Sequence, residues 1–201
     1  MDEQQCVLTY KEGGIADGRT TMTDEQQLIA LACKGDTAAF GELVKTYRDP
    51  ILRYLFRLTG DMEKANDLTQ DTFLKAFQKI TGIRSEAAFK PWLYRIATRT
   101  VHSYWRRANL KKFISFDSAK PPGGKIIAAP PENTEDKIDV RYALLAIPQN
   151  QRECIVLHFI GGFTYREIAA TQGISEDAVR MRIARGKEVF KNAYKFNGGE
   201  K

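Results

Sequence analysis

The chain has little of what marks an enzyme, a secreted protein or a membrane protein. Among its 201 residues are only three cysteines, Cys6, Cys33 and Cys154, odd in number and far apart. That count excludes a disulfide framework and suits the reduced thiols of a cytoplasmic protein, with Cys33 and Cys154 in apolar helical contexts that read as core. There are two histidines, His102 and His158, and neither has a second His or Cys at metal-ligand spacing, so no zinc centre is expected. No G-x-x-x-x-G-K-[ST], no G-x-S-x-G and no convincing acid–base–nucleophile set occurs. The reading is therefore of a non-enzyme, without cofactor, metal or small-molecule substrate. No apolar run approaches the roughly 20 residues needed to span a bilayer, so membrane insertion is not expected. The N-terminal MDEQQCVLTYKEGG has neither the basic start nor the apolar core of a secretory signal.

What is present points elsewhere. A net charge of +6 and a pI near 9.2 favour a polyanionic partner. A hydrophobic content of 43% is enough for packed cores, and the length suits one large or two small domains. Residues 1–22 show no clear period, and Gly13, Gly14 and Gly18 mark them as a flexible extension that folding does not need. Met22 is a possible alternative start, because Thr23 with Gln26 gives a capping box and a complete beginning. Asp36 then caps a longer helix in which Phe40, Leu43, Val44, Tyr47, Ile51, Leu55 and Leu58 recur at three and four, with Pro50 inside it. Gly60 and Asp61 stop that helix and start another. In it Leu68, Phe73 or Thr72, Ala76 and Ile80 form an inner face, with Asp67, Gln70, Asp71 and Lys75 outside. After a break near Gly82, with Ser85 as an N-cap, the segment from Phe89 to Arg107 reads as helix, Pro91 being tolerable only near its start. Its Arg95, Arg99, Arg106 and Arg107 interleave with aromatics, the mixture used to track phosphates and stack unpaired bases.

Pro121, Pro122, Pro130 and Pro131, with Gly123 and Gly124, exclude a continuous helix and mark residues 111–134 as a flexible linker. Two further apolar-periodic helices follow, separated at Pro148. Then comes the most informative stretch. Thr164 and Glu167 form a capping-box pattern, Phe163 and Ile168 a hydrophobic staple, Gly173 a left-handed stop, and Ser175 the next N-cap. Two helices joined by a turn of three to four residues containing Gly is the helix-turn-helix pattern. On its second helix Val179, Ile183, Gly186 and Phe190 share an inner face, while Arg180, Met181, Ala184 and Arg185 look outward, as a major-groove reader requires. Arg182 lies nearer the interior. The fold expected is all-α: two small helical domains joined by a flexible linker, the second ending in a helix-turn-helix.

Three stretches in order, ELVKTYRDPILRYLFRLTGDMEKANDLTQDTFLKAF, FKPWLYRIATRTVHSYWRR and IPQNQRECIVLHFIGGFTYREIAATQGISEDAVRMRIARGK, resemble a bacterial RNA polymerase sigma factor of the extracytoplasmic-function group. The resemblance spans residues 23–195. It implies a domain two at 23–110 that binds the polymerase beta-prime clamp helices and the minus-ten element. It also implies a domain four at 135–195 that binds the minus-thirty-five element and the beta flap, with a tail at 196–201. By motif it assigns Asp67, Leu68, Gln70, Asp71 and Phe73 to polymerase binding. Arg84, Ser85, Trp92, Arg95, Arg99, Ser103, Arg106 and Arg107 fall to minus-ten DNA. Thr164, Tyr165, Arg180, Met181, Ala184 and Arg185 fall to minus-thirty-five DNA. It further implies a cytoplasmic protein whose partners are core RNA polymerase, promoter DNA and an anti-sigma factor. Four positions depart from the family pattern: Arg99 stands where Asn is usual, Ser103 where Asp is frequent, and Asp177-Ala178 where Gly-Thr is usual. On the residues alone two other readings stay open, a helix-turn-helix regulator acting without the polymerase and an interaction protein whose first domain is a docking bundle. The stretch 67–73 discriminates, since a plain repressor has no use for it.

Overall fold

The computed structural model describes residues 24–83, 89–114 and 134–198. Among these the helices are α1 (Asp24–Cys33), α2 (Thr37–Thr59), α3 (Met62–Lys79), α4 (Phe89–Ile114), α5 (Thr134–Ala146), α6 (Gln149–Phe159), α7 (Tyr165–Gln172) and α8 (Glu176–Gly198), with a single 3-10 turn at Ile80–Gly82. The all-α reading holds, four helices on either side of the proline-rich stretch. The Thr23 cap, the extension, Ser85 and the proline-rich stretch itself lie outside the described residues.

Local chemistry sets the helix ends. The Asp36 carboxylate accepts from the amides of Ala38 and Ala39 at 2.8 and 3.0 Å, and Asp61 accepts from that of Lys64 at 3.1 Å. Gly60 ends α2 with φ of 69°, a conformation costly for any residue with a Cβ. Its bareness has a second use: a Cβ there would fall 2.5 Å from Leu145 Cδ1 of α5. Pro50 is carried inside α2, and Pro91 is the third residue of α4.

In the first half, α2, α3 and α4 pack around Leu43, Ile51, Leu55, Leu58, Ala76, Phe89, Leu93, Ala97 and Val101, all nearly inaccessible. Each large side chain so buried contributes about 1.5–3 kcal/mol. Both Thr72 and Phe73 are buried, so the alternatives at that register are both core. Buried hydroxyls are satisfied: Thr69 and Thr72 donate to carbonyls one turn back, and Tyr54 pairs with Thr98 at 2.8 Å. In the second half, α6, α7 and α8 close over Val156, Leu157, Ile168, Val179 and Ile183. Cys154 lies in that core, where burial pushes its thiol up to about 11 against the opposing pull of Arg182, leaving it inert.

The halves do not hang apart. Tyr94 of α4 meets Phe163 edge-on at 4.9 Å between ring centroids. The guanidinium of Arg152 on α6 donates to Leu58 O at the end of α2, at 2.6 Å, and to Leu145 O and Ile147 O at the end of α5, at 2.8 and 2.9 Å. A cation among carbonyls at helix C-termini is well placed for their partial negative charge.

Candidate polymerase and promoter interfaces

The first surface lies on α3. Its period places Asp67, Gln70 and Asp71 on an exposed stripe that continues to Leu74, which is 58% exposed. Phe77, one turn beyond, is also exposed and packs its ring against Phe40 at 5.2 Å. An acidic stripe ending in exposed Leu and Phe is a surface built to be covered. Leu68 and Phe73, which the motif groups with this stripe, point the other way and are 5% and 8% exposed. They hold the helix in the core and cannot touch a partner there. Leu74 and Phe77 are exposed apolar residues on this face that the motif reading passed over.

The second surface is a cleft of about 270 Å³ between α3 and α4, lined by Lys75, Lys79, Trp92, Arg95, Ile96, Arg99, Thr100 and Ser103. Four of the expected minus-ten residues, Trp92, Arg95, Arg99 and Ser103, thus share one groove. Lys75, read as part of the outer face of α3, pairs there with Asp71 at 3.9 Å and also reaches α4, donating to Thr100 Oγ1 at 3.2 Å. With Lys79 it brings the cations around the cleft to four, a signal hidden in sequence because the two lysines belong to a different helix. Ser103 organises the next turn of α4. Its hydroxyl donates to Arg99 O at 2.9 Å and accepts from Arg106 Nη2 at 3.2 Å, while its carbonyl accepts from Arg107 Nε at 3.3 Å. Arg95 reaches out of the groove to Ala170 O on α7, at 2.8 Å. Arg84 and Ser85 lie outside the described residues.

The third surface is the helix-turn-helix. Thr164 Oγ1 accepts from the Glu167 amide at 3.3 Å, and Glu167 Oε2 accepts from the Thr164 amide at 2.8 Å, closing the capping box. Gly173, with φ of 70°, turns the chain, and Ser175 Oγ accepts from the Ala178 amide at 3.2 Å to start α8. Val179 and Ile183 face inward, and a Cβ on Gly186 would come within 2.5 Å of Ile155 Cδ1. Arg180, Met181, Ala184 and Arg185 are all exposed. Arg180 pairs with Asp177 at 3.0 Å, one turn earlier. Arg182 lies half-buried and donates to Gln172 Oε1 at 3.0 Å. Thr164 is exposed at the start of α7, and Tyr165 is half-buried against His158, 4.8 Å between ring centroids.

A fourth surface was not read from the sequence. Val140, Leu144, Ile155, Phe159, Ile160 and Phe190, from α5, α6 and α8, line an apolar groove of about 470 Å³ edged by Lys187 and Lys191. Phe159 is 55% exposed, its ring under Lys187 Nζ at 5.1 Å. The apolar pair Phe159-Ile160 at the end of α6 was the available sequence signal.

Two family models match the chain in order: Sigma-70 region 2 over residues 43–110 and Sigma-70, region 4 over residues 137–189. The ECF RNA polymerase sigma factor SigW of Bacillus subtilis is 29% identical over 79% of the chain and 90% of its own length. The chain is an extracytoplasmic-function sigma factor of the sigma-70 family. The RNA polymerase sigma-H factor of Pseudomonas aeruginosa is 28% identical over 86% of this sigma factor and 95% of that one. SigE of Mycolicibacterium smegmatis is 32% identical over 79% of the chain, which spans 63% of that longer relative. Among solved structures, the sigma factor RpoE in complex with the anti-sigma factor NepR from Bartonella quintana matches with a TM-score of 0.69 at 25% identity, over 78% of this chain and 96% of that one. The region 2 match contains the α3 stripe and the cationic cleft. The region 4 match contains the apolar groove except for Phe190 and Lys191, and all but the last turns of α8. No helix among the described residues is long and apolar enough to cross a membrane.

Proposed function

We propose that this sigma factor, acting in the cytoplasm and without catalysis of its own, binds core RNA polymerase and directs it to promoters. Residues 23–110 act as domain two and residues 135–195 as domain four. The observation that carries the reading is the coexistence of an exposed stripe on α3, which DNA has no use for, with two cationic surfaces that suit DNA. The stripe of Asp67, Gln70, Asp71, Leu74 and Phe77 meets the beta-prime clamp helices. The cleft of Lys75, Lys79, Arg95 and Arg99 follows the minus-ten strand, with Trp92 offering a ring to an unstacked base. On α8, Arg180 and Arg185 read the minus-thirty-five element, with Met181 and Ala184 between them. The apolar groove beside Phe159 takes the beta flap.

The relative solved in complex with the anti-sigma factor NepR supports a regulator of the same class here, one that covers the surfaces just named. The structure carries α4 to Ile114 and begins α5 at Thr134, so the chain between them is residues 115–133 rather than 111–134. It spans at most roughly 65 Å, which lets the domains separate along a promoter or close upon an inhibitor. Gel filtration of the purified protein with core polymerase tests the reading. Co-elution that is lost in Leu74→Asp, with the helical content unchanged, supports it. A folded chain that never co-elutes overturns it in favour of a regulator that works without the polymerase.

A further inference from the structure

Between α4, the start of α6, the end of α7 and Arg182 of α8 lies an open pocket of about 650 Å³, a size that holds a small molecule. Its charged lining is one-sided. Arg95, Arg99 and Arg182 bring three guanidiniums to it, and none of them forms an ion pair among the described residues. The carboxylate in the lining, Glu153, is buried and already engaged. Its Oε1 lies 2.7 Å from His102 Nε2 and accepts from Gln149 Nε2 at 3.2 Å, while Oε2 accepts from Gln172 Nε2 at 3.5 Å. Glu153 therefore anchors the polar walls and leaves the guanidiniums uncompensated. Arg95 Nη2 donates to Ala170 O at 2.8 Å, but its Nε is buried without a hydrogen-bond partner among the described residues. A buried donor is ordinarily satisfied, so this one calls for an acceptor from outside the chain. Helix α6 adds further donors. It starts at Pro148 with no side-chain cap, and its first two residues, Gln149 and Asn150, line the pocket. The amides of Gln151 and Arg152 turn back to Pro148 O, and those of Gln149 and Asn150 stay outside the helical ladder. Open amides at the positive end of a helix, beside unpaired arginines, are the chemistry of a phosphate site.

The pocket continues into a second one of about 630 Å³, which shares Arg99, His102 and Gln149 with it and adds Trp105 and Arg106. The Trp105 ring stands 5.9 Å from that of His102, centroid to centroid. Aromatic and guanidinium faces beside a phosphate site suit a flat base. We propose that this double pocket binds a free nucleotide carrying two or more phosphates. The phosphates lie among Arg95, Arg99, Arg182 and the start of α6, and the base rests against Trp105. Arg182 takes no part in the minus-ten cleft, whereas Arg95 and Arg99 line both places. A bound nucleotide thus draws on cations that the minus-ten strand also needs, and it lowers affinity for the promoter. That consequence rests on the sigma-factor reading; the site itself does not.

Calorimetric titration of the full chain with ADP, GDP and inorganic pyrophosphate reads the site. Wild type is expected to bind all three, the nucleotides at least about fivefold more tightly through the stacked base. Arg182→Gln keeps a donor for Gln172 and should weaken all three about tenfold or more, with helical content unchanged. Asn150→Asp sets a carboxylate in the first turn of α6, where it favours the helix, and should weaken them likewise. Trp105→Leu should remove only the advantage of the nucleotides over pyrophosphate. No binding at millimolar ligand, or binding that both Arg182→Gln and Asn150→Asp leave unchanged, would overturn the site. Equal affinity of wild type for pyrophosphate and nucleotides would overturn the assignment of a base to Trp105. GDP should also displace a promoter duplex from wild type but not from Arg182→Gln; displacement from both alike would overturn the competition. Absence of DNA binding by every form, with the nucleotide titrations behaving as described, would sink the sigma-factor reading and leave the nucleotide site standing.

Discussion

Helices α3 and α8 each carry a stripe proposed to meet a partner, and they differ in how that stripe relates to the core. On α8 the division is clean: Val179, Ile183 and Gly186 face in, and Arg180, Met181, Ala184 and Arg185 face out. On α3 the family motif runs across both sides, and Leu68 and Phe73 lie in the core beside exposed Asp67, Gln70 and Asp71. The α8 residues were assigned from helical spacing and the α3 residues from a motif. A motif records every residue a function depends on, including those that only hold a helix in place. Spacing separates the two kinds.

The sharpest test of this distinction should give the largest effect. Phe73→Ala is expected to destabilise the fold by about 3–5 kcal/mol, through lost burial and the cavity left among α2, α3 and α4. Leu74→Ala, one position on, should stay within about 0.5 kcal/mol of wild type in urea unfolding yet weaken co-elution with core polymerase. If Leu74→Ala unfolds the protein and Phe73→Ala only loosens polymerase binding, the faces of α3 have been assigned the wrong way round.

The next effect belongs to α8. Arg180→Ala and Arg185→Ala should leave unfolding unchanged, since both side chains are exposed. A residue reading a base should cost about 1–3 kcal/mol of binding and relax preference at one position. A phosphate contact should weaken all sequences alike and lower the salt slope by about one. Binding to a panel of minus-thirty-five variants at several salt concentrations separates these outcomes. No change from either substitution would remove α8 from the groove.

Much of the fold was legible because its signals are local. Asp36, Asp61, Gly60, Thr164 with Glu167, Gly173 and Ser175 each stop or start a helix through bonds within four residues of themselves. What escaped the sequence required two helices at once. Lys75 looked like part of a solvated face until α4 placed Thr100 beside it. Tyr94 was not read as core because its burial is decided by Tyr54 of α2 and by Phe163, far away in the chain. The groove at Phe159 draws on three helices, and the grip of Arg152 on Leu58 O spans most of a hundred residues.

A smaller effect is expected at the turn itself. Thr164→Ala removes one half of the capping box and should lower stability by about 1 kcal/mol, measured by thermal or urea unfolding. Since α7 also presents Ala170 O to Arg95, a loosened α7 connects the helix-turn-helix to domain two as well. A loss above about 2 kcal/mol would show that Thr164 does more than cap.

The smallest effect separates α8 from its own family pattern. Asp177 stands where a glycine is usual, and its carboxylate pairs with Arg180 at 3.0 Å with both side chains largely exposed. A pair of this kind contributes about 0.2–1 kcal/mol at most, so Asp177→Gly should change stability little beyond the entropy cost of a glycine in the first turn. Its consequence lies in binding. The carboxylate holds Arg180 within α8 and sets a negative charge beside the phosphates that the helix approaches. Removing it releases the guanidinium and the repulsion together, and binding to a minus-thirty-five duplex should tighten a few-fold at low salt. The gain should fade as salt rises toward 1 M, where the screening length falls to about 3 Å. If Asp177→Gly instead weakens binding in proportion to Arg180→Ala, the pair positions Arg180 for its base rather than withholding it, and the departure at Asp177 is part of how α8 reads DNA.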